Sequence, residues 1–139
     1  TANVAQVFLT DDAWAQTLSA IRAALRPGGH LAFETRVPAD RGWERWTPAR
    51  TRATTEVPGL GPLTEWMEVT DVREDPLLVS FTAHNEFPDG QDVVSTSTLR
   101  FRSAQELESS LAAAGFDAIT LGDLPYAPGR GWLVRARRP

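Results

Sequence analysis

The stretch LRPGGHLAFETR, residues 25–36, decides how this chain folds. Ahead of it, residues 10–26 repeat apolar side chains at steps of three and four, the spacing of one helix face, at Trp14, Leu18, Ile21 and Leu25. The Pro-Gly-Gly sequence at 27–29 is typical of a helix end followed by a turn. Leu31, Ala32 and Phe33 are then consecutive and apolar, which predicts that residues 30–36 form a strand covered on both faces, as in a parallel sheet.

Residues suited to cap a helix N-terminus precede each of two predicted helices. Thr10 is suited to cap the first helix. Ser103, with Glu106 three residues later, predicts a capping box at the start of a second helix. That helix presents Leu107, Leu111 and Ala114 on one face and ends at Gly115.

The remaining segments predict strands and one connector. Residues 63–73, 77–87 and 92–102 are expected to form a three-stranded antiparallel meander, because short Pro- or Gly-containing turns separate them. Residues 37–62, rich in Pro, Gly and Arg, are interpreted as a connector or lid. The last two strands are predicted at 118–121 and 132–137, antiparallel to each other and in the same sheet as residues 30–36.

Composition excludes several kinds of site. The 139 residues contain no cysteine, so thiolate nucleophiles, disulfides and sulfur-ligated zinc are ruled out, and two histidines are too few for a histidine-rich metal site. A net charge of −4 argues against nucleic acid as a partner. No apolar run reaches the roughly 20 residues of a membrane span, and no signal peptide is recognisable. We therefore expect a cytoplasmic protein with neither a metal nor a membrane partner.

Three segments resemble class I, Rossmann-like, S-adenosylmethionine-dependent methyltransferases. Residues 25–36 are similar to the turn between the fourth helix and fifth strand of that family. Residues 99–103, the helix after them and Ala114-Gly115-Phe116 resemble its fifth helix and the approach to its sixth strand. Residues 3–8 resemble the segment that follows its fourth strand. The order of the three segments is that of the family.

The resemblance implies an α/β fold: the C-terminal half of a Rossmann-like methyltransferase sheet, with one parallel-type strand, a terminal antiparallel pair, an inserted meander and two main helices. Residues 1–139 would be a single domain. Residues 1–36 and 103–139 would form the methyltransferase-like core, and residues 37–102 the inserted connector and meander.

One departure from the family concerns the cofactor. The family holds S-adenosylmethionine with a glycine-rich turn after its first strand and a carboxylate after its second, and neither motif occurs in these 139 residues. We therefore expect the chain alone to bind the cofactor weakly and to be inactive by itself. Its expected macromolecular partner is either a missing N-terminal half or a second copy in a homodimer.

Six residues are hypothesised to bind the cofactor or the acceptor. One further residue is a weak catalytic candidate. The resemblance places Asn3 at a strand's carboxyl end, where it is either a cofactor ligand or an ordinary turn residue. Candidates to bind the acceptor are Glu34, Arg36, Trp43, Trp46 and Tyr126. Their alternatives are a surface ion pair for the two charged residues, core packing or an oligomer interface for the tryptophans, and a loop anchor for Tyr126.

His84 is the weak candidate for a general base, since an unperturbed histidine titrates near neutral pH. Its strand neighbours are polar, so the alternative is a histidine that faces solvent. The function implied by the resemblance is methyl transfer from S-adenosylmethionine to a small-molecule acceptor. The rival hypothesis is a non-catalytic α+β module that binds a small ligand or dimerises.

Overall fold

The computed structural model describes residues 3–139 and contains both helices and strands, with four consecutive strands in the middle of the chain. The α-helices are α1 (Asp11–Ala24), α2 (Pro48–Thr51) and α3 (Ala104–Ala113). The strands are β1 (His30–Arg36), β2 (Ala53–Val57), β3 (Gly61–Arg73), β4 (Leu78–Glu86), β5 (Asp92–Arg100), β6 (Asp117–Leu124) and β7 (Ala127–Arg137). Short 3₁₀ helices lie at Val4–Val7, Pro38–Asp40 and Gly42–Arg45.

The chain divides into two compact units. The first contains the residues up to Arg41 together with Arg100–Pro139, and the second is Gly42–Leu99. The protein is thus a mixed α/β structure with one sheet in each unit. No helix within residues 3–139 is long and apolar enough to span a bilayer.

In the first unit, β7 lies between β1 and β6, giving the order β1-β7-β6. Both pairings are antiparallel, with His30 opposite Arg137 and Thr120 opposite Arg135. This confirms the prediction that the two terminal strands pair antiparallel in the sheet that contains residues 30–36. Strand β1 also has the predicted bounds.

The core of this unit joins both helices to the sheet. Trp14 and Leu18 of α1, Leu107 and Leu111 of α3, and Val134 and Ala136 of β7 are all buried in one cluster. The indole Nε1 of Trp14 donates to Ser110 Oγ at 2.9 Å, which links α1 to α3. Burying a large apolar side chain contributes about 1.5–3 kcal/mol, so this cluster stabilises the unit.

The expectation that β1 is covered on both faces is wrong for the residues described. Its burial alternates at the start, with Leu31 and Phe33 packed against the core and Ala32 exposed. The core cluster takes side chains from one face of β1 only, and β7 is the single strand paired with β1 among residues 3–139. The other edge of β1 has no strand beside it in this range.

The second unit is a four-stranded sheet of order β2-β3-β4-β5, one strand more than the predicted meander. Strand β3 pairs antiparallel with β2 and with β4. Ser80 bonds to Thr98, and Asn85 to Val93, so β4 and β5 also run in opposite directions. The extra strand, β2, lies in the segment interpreted as a connector. It is almost wholly exposed, so it lacks the apolar alternation that marks a strand.

The predicted caps form as expected. Thr10 Oγ1 accepts from the N–H of Ala13 at 3.2 Å. Ser103 Oγ accepts from the N–H of Glu106 at 3.2 Å, and Glu106 Oε2 accepts from the N–H of Ser103 at 2.7 Å. Burial raises the pKa of Glu106, but hydrogen bonds from Ser103 and from Arg100 outweigh that effect and hold the pKa below its ordinary value.

We expect Glu106→Ala to lower the free energy of unfolding by about 1 kcal/mol at neutral pH, the typical contribution of a helix cap. Because the folded-state pKa of Glu106 is depressed, this contribution is present above the unfolded-state pKa and is lost as the pH falls through the folded one. Urea unfolding measured from neutral to acidic pH checks it. Glu108→Ala, which removes an exposed carboxylate from the same helix, is the control. A difference that does not change with pH would contradict the argument.

Candidate functional site

The carboxyl end of β1 and the first 3₁₀ helix form one candidate site. Asn3 precedes that helix in the left-handed region, with φ 57° and ψ 20°, a conformation that asparagine tolerates better than most residues. Its carbonyl accepts from the N–H of Gln6 at 3.1 Å, and its side chain makes no capping hydrogen bond. Asn3 is therefore a turn residue by its backbone, and its role toward a cofactor stays a prediction.

Gln6 joins this helix to β1. The Nη1 atom of Arg36 donates to Gln6 Oε1 at 2.7 Å, and burial lowers the pKa of Arg36. The Gln6 side chain is 1% exposed, and its Nε2 has no hydrogen-bond partner within residues 3–139. A buried amide with an unsatisfied donor costs roughly 1–3 kcal/mol. No sequence pattern singles out Gln6.

The structure brings Glu34 and Tyr126 together. Strand β6 ends at Leu124 and β7 begins at Ala127, so Tyr126 lies in the tight turn between them and its side chain is 71% exposed. The Tyr126 hydroxyl lies close enough to the Glu34 carboxylate for hydrogen bonding to raise the pKa of Tyr126 above its ordinary value. The contact links the turn to β1, as a loop anchor would, and leaves most of the phenol ring open to an incoming molecule.

A groove of about 400 Å³ runs beside β1 in the same unit. Its walls are mostly apolar and come from the first 3₁₀ helix, α1, β1 and β7; they are Val4, Ala5, Phe8, Trp14, Thr17, Ile21, Leu31, Ala32, Phe33, Glu34 and Leu133. Four consecutive residues of β1 take part, and Glu34 is the one charged residue in the lining. The groove therefore offers apolar surface with a single carboxylate at its margin.

The two candidate tryptophans belong to the second unit. Trp43 is only 4% exposed, so it has little surface to offer a ligand. Trp46 lies edge-on to Phe81, with ring centroids 5.0 Å apart, and its carbonyl accepts from the N–H of Val69 at 3.3 Å. This packing is the kind expected of core residues. The hypothesis of an aromatic lid stays a prediction.

His84 has partners on both ring nitrogens and is not the solvent-facing residue that its polar neighbours indicated. Nδ1 lies 2.7 Å from Asp92 Oδ2, Nε2 lies 3.2 Å from Thr82 Oγ1, and the side chain is 19% exposed. The imidazole stacks on Trp66 at 4.6 Å between ring centroids. A carboxylate on one nitrogen fixes the orientation of the ring, which is what a general base requires.

Arg52 contacts the tryptophan on which His84 stacks. Strand β2 begins just after Arg52, whose guanidinium lies 4.4 Å from the centroid of Trp66 and donates to Glu86 at 2.9 Å. Sequence reasoning missed Asp92, Trp66 and Arg52, because only the strand register brings them to His84. Residues 3–139 contain no group of three or more His, Cys, Asp or Glu side chains suited to hold a metal ion.

Tyr126 is the only tyrosine of the chain, so its titration can be followed without assignment by the ultraviolet absorbance of the phenolate. Its raised pKa depends first on the hydrogen bond to Glu34. We expect Glu34→Gln, which removes the negative charge, to shift the titration of Tyr126 to lower pH. Glu74→Gln, a change in an exposed turn of the second unit, should leave it in place. Identical titration curves for all three proteins would contradict the contact.

Comparisons with known proteins give structural likeness alone. No family model matches the sequence, and no curated protein matches it either. Solved structures do match. An S-adenosylmethionine-dependent methyltransferase from Clostridium acetobutylicum ATCC 824 is 13% identical, with a TM-score of 0.64 over 95% of this chain and 54% of that one.

Two further methyltransferases match equally well. CcbJ from Streptomyces caelestis is 17% identical, with a TM-score of 0.70 over 98% of this chain and 54% of its own. CalS10 from Micromonospora echinaspora, an amino pentose methyltransferase involved in calicheamicin biosynthesis, was solved with S-adenosylmethionine bound. It is 18% identical, with a TM-score of 0.67 over 100% of this chain and 56% of its own. The chain spans about half the length of these proteins, and over that half it has the fold of S-adenosylmethionine-dependent methyltransferases, as its resemblance in sequence predicted.

Proposed function

We propose that this chain is the C-terminal half of an S-adenosylmethionine-dependent methyltransferase that acts on a small molecule. The observation that carries the proposal is the extent of the structural match, 95–100% of this chain against 54–56% of three methyltransferases. In this proposal the chain supplies half of the central sheet and the wall on the acceptor's side. A missing N-terminal half supplies the glycine-rich turn and most cofactor contacts.

The chain is a single domain in this proposal, with residues 1–36 and 103–139 as the methyltransferase-like core and residues 37–102 as an insertion. Two observations support it. The compact units divide at Arg41–Gly42 and at Leu99–Arg100, within a few residues of those bounds. Strand order β1-β7-β6 also leaves one edge of β1 available to a parallel neighbour from the other half.

The residues of the first candidate site fit a cofactor only in part. Gln6 Nε2 is a buried donor without a partner in the described residues, and Asn3 has a side chain that caps no helix, so both are suited to a ligand oxygen. The glycine-rich turn and the carboxylate that follows the family's second strand do not occur in the 139 residues. When bound, S-adenosylmethionine supplies an activated methyl group, and the protein's task is mainly to align the acceptor with it.

We propose acceptor contacts in each unit taken by itself: Glu34, Arg36 and Tyr126 are the candidates of the first unit, and Trp43, Trp46 and His84 are separate candidates of the second. A half-exposed carboxylate such as Glu34 would attract a cationic amine, whereas the Tyr126 hydroxyl and the ring faces of the tryptophans suit a sugar-like or aromatic ring. His84, oriented by Asp92, would accept the proton that an acceptor hydroxyl or ammonium group releases.

A second function is favoured by the apolar groove beside β1. A non-catalytic module that binds a small ligand or a second copy would need such a surface within its own core, and the groove lies within the first unit. Cofactor affinity separates the two functions, because only a methyltransferase gains affinity for S-adenosylmethionine when the other half is present.

We expect the 139-residue chain to bind S-adenosylmethionine with a dissociation constant no better than about 1 mM in a calorimetric titration. Groups of the cofactor that are buried without partners cost about 1–3 kcal/mol each, and the chain lacks the turn that would pair them. A longer protein that includes the upstream coding sequence should bind at micromolar concentrations. Micromolar binding by the 139-residue chain would contradict the proposal that most cofactor contacts come from the N-terminal half. No binding by the longer protein would contradict the methyltransferase assignment.

We also expect the 139-residue chain to self-associate through the open edge of β1, because strands with an unpaired edge beside apolar surface pair with other copies. Light scattering over a range of concentrations should detect the dimer. Ala32→Lys, which adds a charge to this edge strand, should weaken association. Thr120→Lys on β6, the opposite edge of the sheet, should not. A monomer at every concentration would contradict the expectation.

A further inference from the structure

The segment between the first 3₁₀ helix and α1 depends on two arginine side chains. The Phe8 and Leu9 carbonyls lie where the chain forms neither a helix nor a strand. Arg102 Nη2 donates to Phe8 O at 2.7 Å and to Thr10 O at 3.3 Å, and its Nη1 donates to Ala5 O at 3.2 Å. Arg100 Nη1 donates to Leu9 O at 3.1 Å. The main chain of this segment is thus held by guanidinium groups.

The two arginines differ in whether a carboxylate forms an ion pair with their guanidinium group. Arg100 contacts two carboxylates, Asp11 at 2.8 Å and Glu106 at 3.1 Å. Arg102 is 3% exposed, and within residues 3–139 its hydrogen-bond acceptors are the three carbonyls alone. Its guanidinium lies 5.1 Å from the ring centroid of Trp14. Burial and the charge of Arg100 lower its pKa to about 10, an effect that the charges of Asp11 and Glu106 offset only in part.

Burying a cation that has no carboxylate among its hydrogen-bond partners is costly, so the hydrogen bonds of Arg102 must offset a cost that a neutral residue would not have. The guanidinium presents five donors in a fixed plane and reaches three carbonyls at once, whereas a lysine ammonium is a compact point charge on a flexible stem. The segment it holds begins at Asn3 and includes Val4, Ala5 and Phe8, which form one wall of the apolar groove.

We propose that Arg102 is a positioning residue for the cofactor site: by holding the Ala5, Phe8 and Thr10 carbonyls it fixes the turn at Asn3 and thereby sets the affinity for S-adenosylmethionine. This inference rests on the proposed function. Arg102 acts through the segment and does not itself contact the cofactor.

Arg138 is a matched control at the other end of α1. Its Nη1 donates to the carbonyls of Arg22 at 2.8 Å and Ala23 at 3.4 Å, and also to that of Leu25. Like Arg102, it has a buried Nε without a partner in residues 3–139. Arg102→Met and Arg138→Met therefore each remove a guanidinium that binds three carbonyls, one from each end of the helix.

The first experiment measures amide hydrogen exchange in the 139-residue chain. Arg102→Met should accelerate exchange of the amides at residues 5–9 by about tenfold or more while leaving residues 25–29 near the wild-type rate. Arg138→Met should give the reverse pattern. Equal acceleration at both ends in either variant would mean that the guanidinium supports general stability only, and would overturn the positioning role.

The second experiment measures the affinity for S-adenosylmethionine in the longer protein that includes the upstream coding sequence. Arg102→Met should raise the dissociation constant about tenfold, Arg102→Lys should raise it less, and Arg138→Met should leave it unchanged. Equal losses for both methionine variants would overturn the inference. If the wild-type longer protein does not bind the cofactor, the proposed function fails, whereas the exchange result still decides whether Arg102 holds the segment.

Discussion

The pairing of β7 with two strands that are distant in sequence is the constraint on which the first unit depends. Residues 30–36 and 117–124 meet only because β7 lies between them. Its buried face, Val134 and Ala136, is then the surface against which Leu18 of α1 and Leu111 of α3 pack. Without β7 the two helices would lose the sheet surface on which both pack, and the turn carrying Tyr126 would not lie beside Glu34.

Arginine side chains hold the ends of α1, in addition to the packing of its apolar face on the sheet. All 14 basic residues are arginines, and three of them, Arg100, Arg102 and Arg138, bind main-chain carbonyls at the two ends of α1. Chain segments outside helices and strands leave carbonyls without partners, and an unpaired buried carbonyl costs free energy. A planar group with several donors satisfies two or three of them at once, which a single hydroxyl or ammonium group does less well. The position of α1 is thus fixed at its ends as well as by its apolar face.

Local signals were enough to predict part of this structure. The β1 strand and the Ser103–Glu106 capping box follow from residues within a few positions of one another, as does the end of α1. The site could not be predicted in the same way. His84 meets Asp92 across a hairpin, Glu34 meets Tyr126, and Arg36 meets Gln6, and each contact depends on register or tertiary packing. Strand β2 was missed because an exposed edge strand lacks alternating apolar residues.

Strand β1 leaves both main-chain groups and apolar surface uncovered within the described residues. Leu31 and Phe33 reach the core, yet Ala32 is exposed, one edge of the strand has no other strand beside it in residues 3–139, and a groove with apolar walls lies alongside. A free edge and an apolar groove are independent liabilities, since one exposes main-chain hydrogen-bonding groups and the other exposes apolar surface. A parallel strand from the other half of a methyltransferase sheet would satisfy the first and cover the second at once. A self-contained module would use the groove as its binding surface but would still leave the edge of β1 unpaired, so the edge, and not the groove, distinguishes the two proposals.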